Sequence, residues 1–144
     1  MKVEIFNLCD YAAGDITGKI TLVGVFDSVY SRESPIVITF CSLAVRVRFD
    51  KSEEGIKKLK ATILDSDGIV IVPATETLVQ VIVPPEWKTA TAQIVATIPQ
   101  LQLPHFGEYS VELEIDGEPE ASTPLYAHMV PWVSPHFQIP QRPA

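Results

Sequence analysis

The sequence predicts an all-β chain: an antiparallel, Ig-like or Greek-key β-sandwich of about eight or nine strands, with an extended proline-rich C-terminal arm. Three observations predict it. Apolar and polar residues alternate with a period of two in several segments, as they do in a strand with one dry and one wet face. Turn residues interrupt these segments at short intervals. Twelve prolines are spread along the 144 residues, which leaves little room for long helices.

Strands are expected near residues 2–9, 18–31, 36–50, 56–64, 69–73, 77–83, 89–98 and 108–116, with a ninth near 122–130. In SLAVRVRFD, Leu43, Val45, Val47 and Phe49 fall on one face and Ala44, Arg46, Arg48 and Asp50 on the other. In YSVELEID, Val111, Leu113 and Ile115 face inward while Glu112 and Glu114 face water. TAQIVATI sets Ile94, Ala96 and Ile98 opposite Gln93 and Thr97. KITLVGVF and IVITFCSL are apolar on both faces, which implies cover on both sides: a second sheet on one, and a loop, tail or partner on the other. SEEGIKKLKATIL fits a helical stripe and a strand equally well, and the hairpin turn that follows it favours the strand.

The turns are read the same way. DSDG at 65–68 is a hairpin turn with Gly68 available for positive φ, and DGEPEAS joins the last two strands. Pro84 and Pro85 end the run LVQVIV, and Pro99 and Pro104 bracket QLQL. LPHFGEY places Gly107 two residues before Tyr109 at the head of a strand. That is the pattern of the tyrosine corner of Greek-key sandwiches, in which the phenol hydrogen-bonds back to the nearby chain. The cysteine pair around a core tryptophan found in Ig domains is absent, so the likeness is one of outline.

Bulk composition narrows the function. A chain of this length is one domain, 1–128, with the arm at 129–144. Hydrophobic content of 47% and charged content of 20% are those of a globular protein. A net charge of −7 repels phosphate, so nucleic acid and anionic membranes are poor partners. No apolar run reaches the roughly twenty residues that span a bilayer, and the first ten residues lack the pattern of a signal peptide. A cytoplasmic location is expected. Cys9 and Cys41 sit in apolar strand segments, where thiols act as small hydrophobes. Two reduced thiols are the expectation there, and a disulfide is possible if their strands are neighbours.

The motifs that carry chemistry are missing from the pattern. His105, His128 and His136 lie in no nucleophile motif, and there is no G-x-S-x-G, no C-x-x-C and no glycine-rich phosphate loop. No catalytic, cofactor or metal residue is therefore assigned, and no enzyme activity is expected. The sharpest metal reading is calcium held by the strand-end carboxylates Asp10, Asp15, Asp65, Asp67 and Asp116. The alternative is that these aspartates serve turn geometry.

Four apolar residues outside the strand pattern are candidates for contact with a partner: Trp87 in PPEWKT, and Trp132, Phe137 and Ile139 in the arm VPWVSPHFQIPQRPA. An extended arm stiffened by prolines and carrying aromatic anchors suits packing on a sheet face or reaching a neighbour.

FNLCDYA, GKITLVGVFDSV, LAVRVRF, LKATILDSDGIVIVP and FGEYSVELEIDGEPEASTPL, taken in order, resemble a widespread family of short bacterial proteins of unknown function. The matching positions are Cys9 and Asp10; Gly18 and Lys19; Gly24, Phe26 and Asp27; and Leu64, Asp65, Asp67 and Gly68. Lys57 and Lys58 stand where a polar residue such as histidine often begins the corresponding strand. The resemblance implies a sandwich fold of intracellular or phage-related origin, and no activity. The expected function is a non-enzymatic interaction or assembly module, binding a protein partner or itself, the latter as a homo-oligomer through the arm. The alternative is a small-ligand or calcium-binding module built on the strand-end carboxylates.

Overall fold

A computed structural model describes residues 1–130. Nine strands follow one another: β1 Lys2–Gly14, β2 Ile20–Phe26, β3 Ser28–Ser31, β4 Ile36–Asp50, β5 Gly55–Asp65, β6 Val70–Val81, β7 Thr89–Leu103, β8 Gly107–Ile115 and β9 Glu118–Met129. One turn of 3-10 helix, Lys51–Glu53, links β4 to β5. The strands form a four-stranded sheet in the order β2-β1-β4-β7 and a five-stranded sheet in the order β3-β9-β8-β5-β6. Neighbours are antiparallel except β3 and β9, which run parallel.

The period-two rows set the core. Leu43, Val45, Val47 and Phe49 of β4 meet Val111, Leu113 and Ile115 of β8 across the interior, joined by Leu59 and Ile63 of β5. All of these are almost completely buried. Burying such side chains gives the sandwich its main driving force, about 1.5–3 kcal/mol for each.

Strand boundaries differ from the sequence expectation at several places: β1 runs on to Gly14 and β9 already begins at Glu118, and three further differences each have a physical reason. The segment 18–31 is two strands, because Asp27 hands the chain from the four-stranded sheet (β2) to the five-stranded one (β3). The expected break between 73 and 77 does not occur: β6 runs through Pro73 to Val81. The expected end before Pro99 is passed as well, since β7 continues to Leu103. Both strands are sheet edges, where one side of the backbone has no ladder bond for a proline to break. At Gln100 of β7, φ is +52°, and the inward row of that strand shifts from Ile94, Ala96 and Ile98 to Leu101 and Leu103.

The doubly apolar segments find a second cover only in part: Val23 and Val25 of β2 and Val37 and Phe40 of β4 stay exposed among the described residues, while the neighbouring Cys9 and Ala44 are covered. β1 and β2 are part of the four-stranded sheet, and the far end of their hairpin reaches over the outer face of β4 and β7. At its tip, the carbonyls of Gly18 and Lys19 accept hydrogen bonds from Arg46 (3.1 Å) and Gln93 (3.2 Å) on β4 and β7. Beneath it, Cys9, Ala12 and Ala44 form a small second core flanked by Ile5, Leu22 and Val95. Glu4, at a register shift in β1, binds Arg46 at 3.0 Å and Arg48 at 2.9 Å on the same face.

Candidate interaction site at the free edge of β7

Of the five carboxylates singled out for calcium, those of Asp15 and Asp65 are taken up by their own turns, that of Asp116 binds the neighbouring strand β5, and Asp10 lies within β1. Asp15 Oδ1 accepts from the backbone N–H groups of Thr17 and Lys19, and Asp65 Oδ1 from those of Asp67 and Ile69. Asp116 Oδ1 accepts from the Lys58 N–H at 2.9 Å. Asp116 and Gly117 both have positive φ, 51° and 83°, the conformation of a two-residue type I′ hairpin turn. These aspartates lie in separate turns. Among the described residues no three metal-binding side chains come together.

The two thiols are free and fully buried. Cys9 donates to the Ser42 carbonyl and Cys41 to that of Ile98. Burial, and secondarily the neighbouring Asp10 carboxylate, raises the Cys9 pKa. Burial pushes Cys41 up to about 11. A thiol in that setting stays protonated at neutral pH and is a poor nucleophile or ligand.

Tyr109 sits under the bend that Gly107, with φ of +132°, opens. Its hydroxyl donates to the His105 carbonyl at 2.6 Å and accepts from the His105 backbone N–H at 3.1 Å. The His105 ring stacks on the phenol, with centroids 5.4 Å apart, and its Nε2 lies 3.7 Å from Asp65 Oδ2. Asp65, His105 and Tyr109 thus form a row of titratable groups. Its phenol is committed to the backbone, however, and burial raises its pKa. The row holds the chain bend and presents no activated nucleophile.

The exposed aromatics divide into two groups. Trp87 is 61% exposed in the loop that leads into β7. Tyr30, His128 and Tyr126 stack as a ladder on the outer face of β3 and β9, with ring centroids 5.1 and 6.1 Å apart. This ladder was not read from the sequence, because only the parallel pairing of β3 with β9 brings Tyr30 beside His128. Trp132, Phe137 and Ile139 lie outside the described residues.

The least ordinary surface is the edge of the four-stranded sheet. β7 is fifteen residues long and pairs with β4 from Thr89 to Leu103. No strand pairs with its other side among the described residues. It contains no Asp, Glu, Lys or Arg. An edge of this kind is a row of unpaired N–H and C=O groups, which monomeric proteins usually blunt with charge or a covering element. Beside it, the sandwich is not closed. A narrow apolar cleft of about 40 Å³ runs between β7 and β6, lined by Ile94, Ala96 and Ile98 on one side and Val72 and Thr75 on the other. A small-molecule pocket takes a few hundred Å³, so this cleft has room for side chains entering from an added strand and not for a free ligand of that size. The signal was present in the sequence as an uncharged run, but the run becomes an interaction surface only because the topology puts it at an edge.

A model of a family of unknown function, DUF6941, matches residues 4–128. The chain belongs to this family. The match spans every strand from β1 to β9, including the whole of the β7 edge. A search of curated proteins finds no match to the chain. The family assignment brings no activity with it. Among the described residues no helix is long and apolar enough to cross a membrane.

Proposed function

We propose that this DUF6941 chain is a non-catalytic protein-interaction module whose free β7 edge accepts an extended strand. One observation carries the reading: fifteen uncharged residues in a row form an edge strand beside an open apolar seam. A strand added along this edge bonds to the exposed backbone, and its alternate side chains enter the seam, which is how strand addition combines affinity with selectivity. Ala90, Ala92, Ile94, Ala96 and Ile98, now only partly buried against the core, are sealed in the process. Trp87, at the head of the strand, supplies an exposed aromatic anchor of the type that dominates binding energy at interfaces. The absence of enzyme chemistry is part of the same proposal, supported by the protonated thiols and the hydroxyl-bound tyrosine. So is a cytoplasmic location, supported by the two free cysteines.

The test is photo-crosslinking in living cells, with a photoreactive residue placed at Thr97 on β7 or, as a control, at Glu120 on β9. Adducts from Thr97 and not from Glu120, whether to a second copy or to another protein, are expected. Equal labelling from both positions, or none, overturns the reading.

A further inference from the structure

We propose that the strand accepted by this edge is β7 of a second copy of the same chain, paired antiparallel about a two-fold axis through Ile94. This rests on the strand-acceptor reading above and names its partner. Each copy carries a net charge of −7, so contact between copies is opposed wherever acidic residues meet. The β7 edge, from Thr89 to Leu103, is free of charge and escapes that repulsion.

The register follows from the strand itself. Its regular part runs from Thr89 to Pro99, because at Gln100 the backbone turns to positive φ. Ile94 is the middle residue of that span. In an antiparallel pair, directly opposed residues share a face, so the inward row must oppose itself. An axis through Ile94 sets Ile94 against its own copy, Ala92 against Ala96, and Ala90 against Ile98. The seams of the two copies then become continuous, with the small alanines leaving room for the isoleucines. On the outer face, Thr91 opposes Thr97, a pairing favoured between neighbouring strands. The assembly is a closed two-fold dimer, with the two four-stranded sheets joined into one, and it leaves no unpaired β7 edge.

The test uses the full chain. Light scattering reports the mass over a concentration series. Because Cys9 and Cys41 are buried, a Lys88→Cys variant takes a spin label at position 88 alone, just outside the paired segment. In the proposed register, position 88 falls opposite position 100, so the two labels stand twelve residues apart along the strands, about 40 Å at about 3.3 Å per residue. The expected result is a mass of twice 15.9 kDa, one distance near 40 Å, and at least a tenfold weaker association in Thr97→Lys. A dimer whose label distance lies far from that value overturns the proposal, as does a single-chain mass up to the solubility limit. If a single-chain mass is found while Thr97 captures a different protein in cells, the second copy is excluded and the strand-acceptor reading stands. With no capture at all, both fall.

Discussion

The hydroxyl of Tyr109 donates to the carbonyl of His105 at 2.6 Å and receives the N–H of the same residue at 3.1 Å. Five residues of chain, His105 to Tyr109, are thereby tied into a corner at the entry to β8. Replacing Tyr109 with Phe removes one hydroxyl and leaves two backbone groups short of a partner. The expected cost is about 1–2 kcal/mol, or a fall in Tm of roughly 3–8 °C, with the fold kept. Thermal unfolding followed by circular dichroism checks this. An unchanged Tm means the corner contributes nothing.

Gly24 of β2 lies across from Asp10 of β1 with φ of +68°, and a methyl group added there overlaps the Asp10 carboxylate. Gly24→Ala is expected to cost about 1–3 kcal/mol, because both backbone strain and the overlap oppose it. Adding Asp10→Ala removes the overlap and leaves the strain. The double variant should therefore recover part of the loss, and denaturant melts of all four forms measure the coupling.

Cys41 contributes a pH dependence of known sign. Its folded pKa is raised to about 11 from 9.0, chiefly by burial. Below pH 9 both folded and unfolded chains hold the proton, and the term is constant. Between 9 and 11 the unfolded chain releases the proton first, so stability falls as pH rises, by roughly 2–3 kcal/mol across the window. Cys41→Ala should flatten that part of the stability profile relative to the parent chain. Identical alkaline slopes in the two forms contradict the assignment.

Glu4 acts at the other end of the scale. Hydrogen bonds from Arg48 and then Arg46 lower its pKa below 4.5. Its contribution is present above the unfolded value and disappears as pH falls through the folded one. Because the group is solvent-accessible, the effect is small. Glu4→Gln should lower stability slightly at pH 7, leave it unchanged at low pH where the carboxyl is protonated, and so make the acid limb shallower; a pH series of melts reads it directly.

The inward rows of β4 and β8 were legible in the sequence because each has a single dry face, so period two alone assigns Val47 and Val111 to the core. The DSDG and Asp116–Gly117 turns were legible because their chemistry is local. Three features were not. The switch of sheet at Asp27 depends on which strand each half pairs with, a long-range choice that the apolar pattern of 18–31 does not record. Pro73 and Pro99 read as strand ends, because nothing local says that their strands are edges. For the same reason the β7 surface was hidden: Ile94, Ala96 and Ile98 look like ordinary core until the topology leaves one side of their strand without a neighbour among the described residues. The residues first singled out for contact, Trp132, Phe137 and Ile139, lie beyond the described chain, whereas Trp87 stands at the head of the edge.

The central claim is that the outer side of β7 is engaged by β7 of a second copy. Residue-resolved amide exchange on the full chain at high concentration measures it. In β7, alternate amides bond to β4 and the remaining ones point to the free edge. The account predicts that both sets between Thr89 and Ile98 are protected, and that dilution or Thr97→Lys releases the edge set while the set bonded to β4 stays slow. Edge amides that exchange at the rate of an unprotected backbone amide at every concentration would contradict it.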